Sequence, residues 1–442
     1  MPLSSPGPPH TEPRPGYARL LREFPDYRLL FASRSVSLLG DWFSMIAIIA
    51  LLREVVGSDA TALSGVLILR LLPIFLAGPL AGVVADRFSR RAVMIWSDLL
   101  RLILVLGLLG APWVGRPVLF IGTLVFLQVT ASAFFEPARS AALPQLVPDR
   151  YLPTANALGA IIWSLAFALG AALGGVVTDL LGWRAALGFD AATYALSAYW
   201  VSRIRLERRP RRGDGALDWQ SITGIRDFRL GLRFIIERRD VATVIFLKTG
   251  WGIAGAIALF LTLFGERDYA IAGRPDLGVS LLYFARAVGT AIGPLLARRL
   301  VTDEGPASMR LLLGGAMLWP MAWYLLFSWV TDPISATLCV VLAHFGGSVL
   351  WVYSTVLLQR MVPDEFLGRV MSTDLGLTTL AISASTWCYG MLADAPGADL
   401  RALVRLMALS LLVPAAIWFV AARRWPVGRS VRAVEPSLNA PP

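Results

Sequence analysis

The sequence predicts an all-α, polytopic membrane protein: twelve transmembrane helices in two six-helix bundles. Three observations predict it. Of 442 residues, 56% are hydrophobic and only 16% charged, against about a quarter charged in soluble domains. Apolar runs recur along almost the whole chain, each close to the ~20 residues a helix needs to cross ~30 Å of hydrocarbon. The basic residues, all arginine except Lys248, sit in the breaks between those runs and not on one polar domain. With a mean hydropathy of +0.63, the bilayer is the solvent for most of the chain.

The elements follow in chain order. Residues 1–28 are assigned to a cytoplasmic N-terminal tail, whose opening MPLSSPGPPHTEPRPG is polar and Pro-rich and reads as disordered, and no short apolar stretch with a small-residue cleavage site precedes the first long run. The first helix is therefore expected to stay as an anchor. Six spans at 29–52, 62–84, 92–113, 117–135, 155–181 and 184–202 make a first bundle over 29–202. Residues 203–240 form the one long polar stretch. In it Ile222, Ile225, Phe228, Leu232 and Ile235 recur at helical spacing, which predicts an amphipathic helix lying on the membrane surface. Six further spans at 241–264, 278–297, 309–330, 334–357, 370–393 and 402–422 make a second bundle over 241–422, followed by a tail at 423–442.

Charge distribution orients these spans. With both termini on one side, 29 of the 41 basic residues fall on that side and seven on the other. The positive-inside bias then places both termini and the central stretch in the cytoplasm of a cell inner membrane. Leu146-Val147-Pro148-Asp149 after span four and Met361-Val362-Pro363-Asp364 after span ten lie 215 residues apart. Gly78-Pro79-Leu80 and Gly293-Pro294-Leu295 share that offset. A six-helix unit present twice is the layout of carriers whose site lies between the halves. Cys339 and Cys388 fall in apolar runs and are expected to be buried thiols without a disulfide framework. His10 and His344 cannot assemble a metal site.

The most informative stretch is Gly82-Val83-Val84-Ala85-Asp86-Arg87-Phe88-Ser89-Arg90-Arg91, between spans two and three. It resembles the loop motif Gly-x-x-x-Asp-Arg/Lys-x-Gly-Arg-Arg/Lys of the major facilitator superfamily. Gly82, Asp86, Arg87, Arg90 and Arg91 match, and Ser89 replaces the second glycine, so the turn geometry departs from the pattern. The resemblance implies that Asp86, Arg87 and Arg90 lock the halves in an outward-open state. Gly170, Gly174 and Gly175 in span five are similar to the Gly-Pro-x-x-Gly-Gly of exporters in the superfamily, with Ala171 in the proline position. Leu39-Gly40-Asp41-Trp42, Ser97-Asp98-Leu99-Leu100-Arg101 and Phe134-Phe135-Glu136-Pro137-Ala138-Arg139 resemble the enterobactin-exporter and macrolide-efflux branch.

An ionisable residue inside a span costs about 2.5–3.5 kcal/mol on insertion scales and needs a partner or a wet cavity. Those positions are Arg34, Asp41, Arg70, Arg101 and Asp190 in the first half, and Lys248, Arg286, His344 and Asp374 in the second. Asp41 and Arg70, at mid-span on neighbouring helices, are the expected pair for coupling or substrate contact. Arg34 and Arg101 are further candidates. Asp98 and Arg101, three residues apart, predict a local salt bridge. Glu136 and Arg139 are expected to join Asp86 in a charge cluster on the cytoplasmic side. His344 reads as a satisfied core histidine. Trp113, Trp183, Trp200, Trp329 and Tyr353, near span ends, read as interface residues.

No phosphate-gripping Gly-x-x-x-x-Gly-Lys-Ser/Thr loop exists, since Leu247 precedes the one lysine. The pattern therefore predicts a secondary carrier without cofactor or metal, and not an enzyme or a nucleic-acid-binding protein. The expected activity is proton-coupled export of a moderately hydrophobic small molecule, such as a drug or siderophore-like compound, by a monomer. An importer or lysophospholipid carrier of the same superfamily is the alternative.

Overall fold

The computed structural model describes residues 16–206, 225–300 and 306–424. The secondary structure of these residues is almost entirely helical. Ten helical segments in it are long and apolar enough to cross a membrane.

In the first half, a short α1 (Tyr17–Glu23) leads into α2 (Pro25–Val56), α3 (Ala60–Arg87), α4 (Arg90–Gly107), α5 (Pro117–Leu146) and α6 (Leu152–Arg203). The long α6 is two crossings, not one. Gly182, at φ 82°, breaks the helical path, a conformation that glycine adopts without the Cβ clash other residues suffer. The predicted spans 155–181 and 184–202 fall on either side of it. The second half comprises α7 (Ile225–Glu237), α8 (Arg239–Trp251), α9 (Ile257–Arg267), α10 (Pro275–Leu300), α11 (Pro306–Phe327), α12 (Pro333–Met361), α13 (Asp364–Ala393), α14 (Leu400–Ser410) and α15 (Leu412–Arg424). α8 and α9 form one crossing interrupted by a 3-10 turn at Gly252–Ala254, and α14 and α15 another, broken at Leu411. α13 is long enough to cross but carries Asp364, Glu365, Arg369 and Asp374 among its apolar residues. Each of the twelve predicted spans thus lies on a helical segment.

The repeated tetrapeptides fold alike. Val147 and Val362 each leave a helix in extended conformation, followed by Pro148 and Pro363 at φ −61° and −59°. α2 packs along α6 over most of its length, and α12 along α10 and α11. The halves meet where α6 crosses α10 and where α3 crosses α13.

Helix begins at Tyr17, inside the segment read as the N-terminal tail. In the central stretch the expected amphipathic helix is α7, Ile225–Glu237, while residues 207–224, including Ile222, lie outside the described residues. Other expectations need correction. α7 does not offer its apolar side to lipid. Phe234 stacks on Phe366 of α13 at 4.8 Å, Ile235 is buried, and Phe228 meets Phe75 of the first half edge-on at 6.0 Å. The apolar stripe of α7 is thus covered by Phe75 and Phe366 and not by the bilayer. Cys339 is buried as expected, whereas Cys388 is exposed. Trp183 is buried and donates its indole N–H to Glu54 at 2.6 Å, so it is a packing residue and not part of an interface belt.

Candidate functional site

The core of the first half holds a polar cluster built on four helices. Asp41 projects from α2, Asp98 and Arg101 from α4, Gln128 from α5, and Tyr194 and Ser197 from the second part of α6. Arg101 is wholly buried and lies between the two carboxylates, 2.5 Å from Asp41 and 3.2 Å from Asp98. It also donates to Ser37 and Tyr194 at 3.1 Å, and its guanidinium covers the Tyr194 ring at 4.0 Å. Tyr194 in turn donates to Asp41 at 2.6 Å and accepts from Gln128 at 3.0 Å. Ser197 donates to Asp98 at 2.6 Å. Asp190, also fully buried, accepts from Thr193 at 3.4 Å through one oxygen, and the other has no partner among the described residues. Asp41 is the cluster carboxylate that reaches solvent, with 22% of its side chain exposed against none for Asp98.

The expected Asp41–Arg70 ion pair is not made. Arg70 donates to the backbone carbonyl of Asp41 at 2.8 Å, and the carboxylate faces Arg101 instead. Helix direction explains the difference: a mid-span position fixes depth but not the side from which the side chain leaves the helix. The predicted Asp98–Arg101 bridge is present, as part of this larger network. Sequence reasoning missed Tyr194, Gln128, Ser37 and Ser197, because a buried tyrosine or serine in an apolar run carries no periodic or charge signal.

The second half has its own buried pair. Lys248 of α8 contacts Asp374 of α13 at 2.6 Å and Thr355 at 3.2 Å, and lies 4.1 Å from the Trp351 ring centre. Asp374 is fully enclosed. The signal was available, since Lys248 is the sole lysine and stands inside an apolar run. His344 is buried against Tyr324 at 2.8 Å.

At the end nearer the termini, Ser89 caps α4 by accepting from the Ala92 N–H. Its φ of −60° needs no glycine, so the departure from the loop pattern is accommodated by a cap. Arg90 donates to the Ala141 carbonyl at 2.6 Å, and Arg91 to the Ser202 carbonyl. Both tie the loop to its own half. The surroundings of Gly82 and the side chain of Asp86 lie outside what the structure describes, and Arg87 is exposed. Glu136 pairs with Arg34 and, at 3.0 Å, with Arg139. Arg34 therefore makes its ion pair with Glu136.

At the far end, ion pairs join the halves. Arg53 of α2 reaches Glu266 at 2.9 Å and Asp276 at 2.6 Å. Arg274 pairs with Asp179 at 2.7 Å, and Asp394 accepts from the N–H groups of Ala60 and Thr61 at 3.0 and 2.7 Å. The span-five glycines permit the close approach beneath these contacts. Gly170 and Gly174 lie against Trp42 and Phe43 of α2, and a Cβ on Gly175 would stand 2.2 Å from Ser280 of α10. Ser280 donates there to the Ala171 carbonyl at 2.6 Å.

Two helical bundles that meet along paired crossings, enclose buried charges and are tied at one end define a polytopic membrane carrier. The chain belongs to the Major Facilitator Superfamily, whose family model matches residues 30–386, and it is a transporter and not an enzyme. It is 27% identical over 354 residues to the "putative bacilysin exporter BacE" of Bacillus amyloliquefaciens, covering 79% of this chain and 84% of that one. It is 26% identical over 378 residues to macrolide efflux protein A of Streptococcus pyogenes, covering 84% and 90%. Among solved structures it superposes on a POT family transporter in complex with 5-aminolevulinic acid, with a TM-score of 0.72, 14% identity and coverage of 93% and 98%. At that identity the likeness speaks for the fold alone.

Proposed function

We propose that this transporter is a proton-coupled exporter of a moderately hydrophobic small molecule, an antiporter of the cell inner membrane acting as a monomer with both termini in the cytoplasm. One observation carries the coupling: Asp41, the partly exposed carboxylate of the cluster, is held 2.5 Å from a wholly buried Arg101 that has a second carboxylate, Asp98, within reach. A proton arriving at Asp41 cancels its charge and releases its hold on Arg101. The guanidinium keeps Asp98 as its counterion, so the buried positive charge is never left bare. The Asp41 carboxyl is then free to turn away from Tyr194. Loss of the proton restores the original pairing. Such a two-position charge within a bundle core is a bistable element that can bias a rocking motion of the halves.

Export is supported by the efflux relatives, and the orientation by the 29-to-seven arginine bias. On that orientation the ion pairs of Arg53 and Arg274 close the extracytoplasmic side. A lysophospholipid carrier would call on a lateral opening between the halves.

The test is flux in proteoliposomes with an imposed proton gradient. Cargo should move only with the gradient, and Asp41→Asn should abolish gradient-driven movement while leaving cargo exchange at equal pH. Gradient-driven flux that survives Asp41→Asn would refute the coupling scheme.

A further inference from the structure

Besides the Asp41 cluster, the first half contains a cavity of about 250 Å³ that the coupling scheme does not use. Tyr27 and Arg34 of α2, Glu136 and Arg139 of α5, and Asn156 and Trp163 of α6 line it. Glu136 pairs with both Arg34 and Arg139, so among the described lining residues two guanidiniums share one carboxylate. Only 16% and 22% of the two arginine side chains are exposed, so a second anion in the cavity would meet guanidinium donors largely shielded from water.

The remaining walls suit the rest of such a ligand. Asn156 is exposed to the cavity and has no hydrogen-bond partner among the described residues. Trp163 is 41% exposed and stands edge-on to Phe167 at 5.9 Å, while Trp42 stacks on Phe167 at 3.8 Å. Arg286 approaches the same Phe167 ring from the second half at 5.9 Å and makes no ion pair among the described residues. A volume of about 250 Å³ is less than the ~300–1,000 Å³ of a whole small-molecule site. It fits a head group, with the body lying outside along the aromatic row.

We infer that this cavity is a cargo subsite that takes the carboxylate of an amphipathic organic acid. Arg34 and Arg139 hold the carboxylate in charge-assisted hydrogen bonds, the Asn156 amide adds a donor, and Trp163 carries the start of the apolar body. Glu136 competes with the cargo for the same guanidiniums, so release is built into the site. The inference rests on the transport reading and deepens it by naming the class of cargo.

The test uses the full-length protein in nanodiscs and calorimetric titration with three probes of matched chain length: N-dodecanoylalanine, its methyl ester and dodecyltrimethylammonium. The acid should bind about tenfold or more tightly than the ester, the scale of losing a hydrogen bond to a charged group. Arg139→Gln should remove that preference, and Trp163→Leu should weaken acid and ester alike. Glu136→Gln removes the competitor, so it should tighten acid binding, an outcome that a merely misfolded variant cannot give. Equal binding of acid and ester by the native protein, or weaker acid binding by Glu136→Gln, overturns the subsite. Proteoliposome flux separates this from the coupling scheme. Acid that binds at the site but ignores the proton gradient sinks the coupling alone, whereas gradient-driven movement of the ammonium probe without acid binding sinks the subsite alone.

Discussion

At the scale of single residues, the first half depends on Arg101. Replacing it with Gln leaves Asp98 buried and takes from both Asp41 and Asp98 the guanidinium that stands between them. Removing one partner of a buried charge network costs on the order of 3–5 kcal/mol, which is comparable with much of a domain's net stability. Arg101→Gln should therefore lower the thermal unfolding midpoint sharply and reduce the yield of folded protein. Arg70→Gln loses one hydrogen bond to a backbone carbonyl, a loss of about 1.5–3 kcal/mol for a charged donor, and should be the milder of the two. If thermal denaturation ranks Arg70→Gln as the worse variant, the assignment of Arg101 as the central cation is wrong. The second half allows a cleaner comparison. Lys248→Met leaves Asp374 buried without its cation, and Asp374→Leu leaves the lysine, so each single change should destabilise. The double variant buries no charge there and should regain much of the loss. Denaturation of all four proteins measures the coupling, and additive losses would mean that the pair is not a working interaction.

At the scale of elements, the helices were legible because the physics that places them is one-dimensional. A run of apolar residues bounded by arginine, proline and glycine marks a crossing irrespective of its neighbours, and each predicted span has its helix. What failed was rotation about the helix axis. Asp41 and Arg70 stand at similar depth on adjacent helices, yet the carboxylate is directed at α4. Likewise α7 shows a correct apolar stripe whose partner, Phe366 and the rest of α13, lies well over a hundred residues away in sequence. Glycine in span five is a case where spacing did carry three-dimensional content. Gly170 and Gly174, four apart, both face α2, while Gly175 turns to α10. Small residues at a helix crossing let backbones approach, and at Gly175 the crossing joins the two halves. Gly175→Val should push α6 from α10, because its Cβ would fall 2.2 Å from Ser280. Flux measured against folded protein should drop severalfold or more, whereas Gly188→Val, at a position where a Cβ meets nothing within 4 Å, should leave it near native. Equal effects would show that close packing at this crossing is not what the motif supplies.

At the scale of the whole molecule, the contacts at the far end decide which state is favoured. One guanidinium, Arg53, holds two carboxylates of the other half, and the N-terminus of α3 offers two N–H groups to Asp394, where the helix dipole favours a negative charge. Burial pushes the Asp394 carboxyl up, but hydrogen bonds from Thr61 and Ala60 outweigh it and hold the group below the usual carboxylate range. A depressed value means that this contact contributes fully above the ordinary carboxylate range. Its contribution fades only as pH falls through the lowered value. The Asp394 contact should therefore keep the far end closed throughout the neutral range, leaving a carboxylate elsewhere to sense the proton gradient. Breaking the contacts should shift the population toward a state open at that end. With Cys388→Ser to remove the exposed native thiol, a reporter made by Ser64→Cys, beside Gly390 at the α3–α13 crossing, should react with a membrane-impermeant thiol reagent severalfold faster in Arg53→Gln or Asp394→Ala than without them. For the pH series the parent also carries Glu266→Gln, which removes the neighbouring carboxyl that burial pushes up. Measured against an exposed reference thiol, whose thiolate fraction changes with pH in the same way, its rate should stay flat across the neutral range. A relative rise as pH falls from neutral to mildly acid would mean that the Asp394 contact itself titrates there. Unchanged labelling in both variants would mean that these ion pairs merely decorate an end held shut by the close fit of α6 on α10.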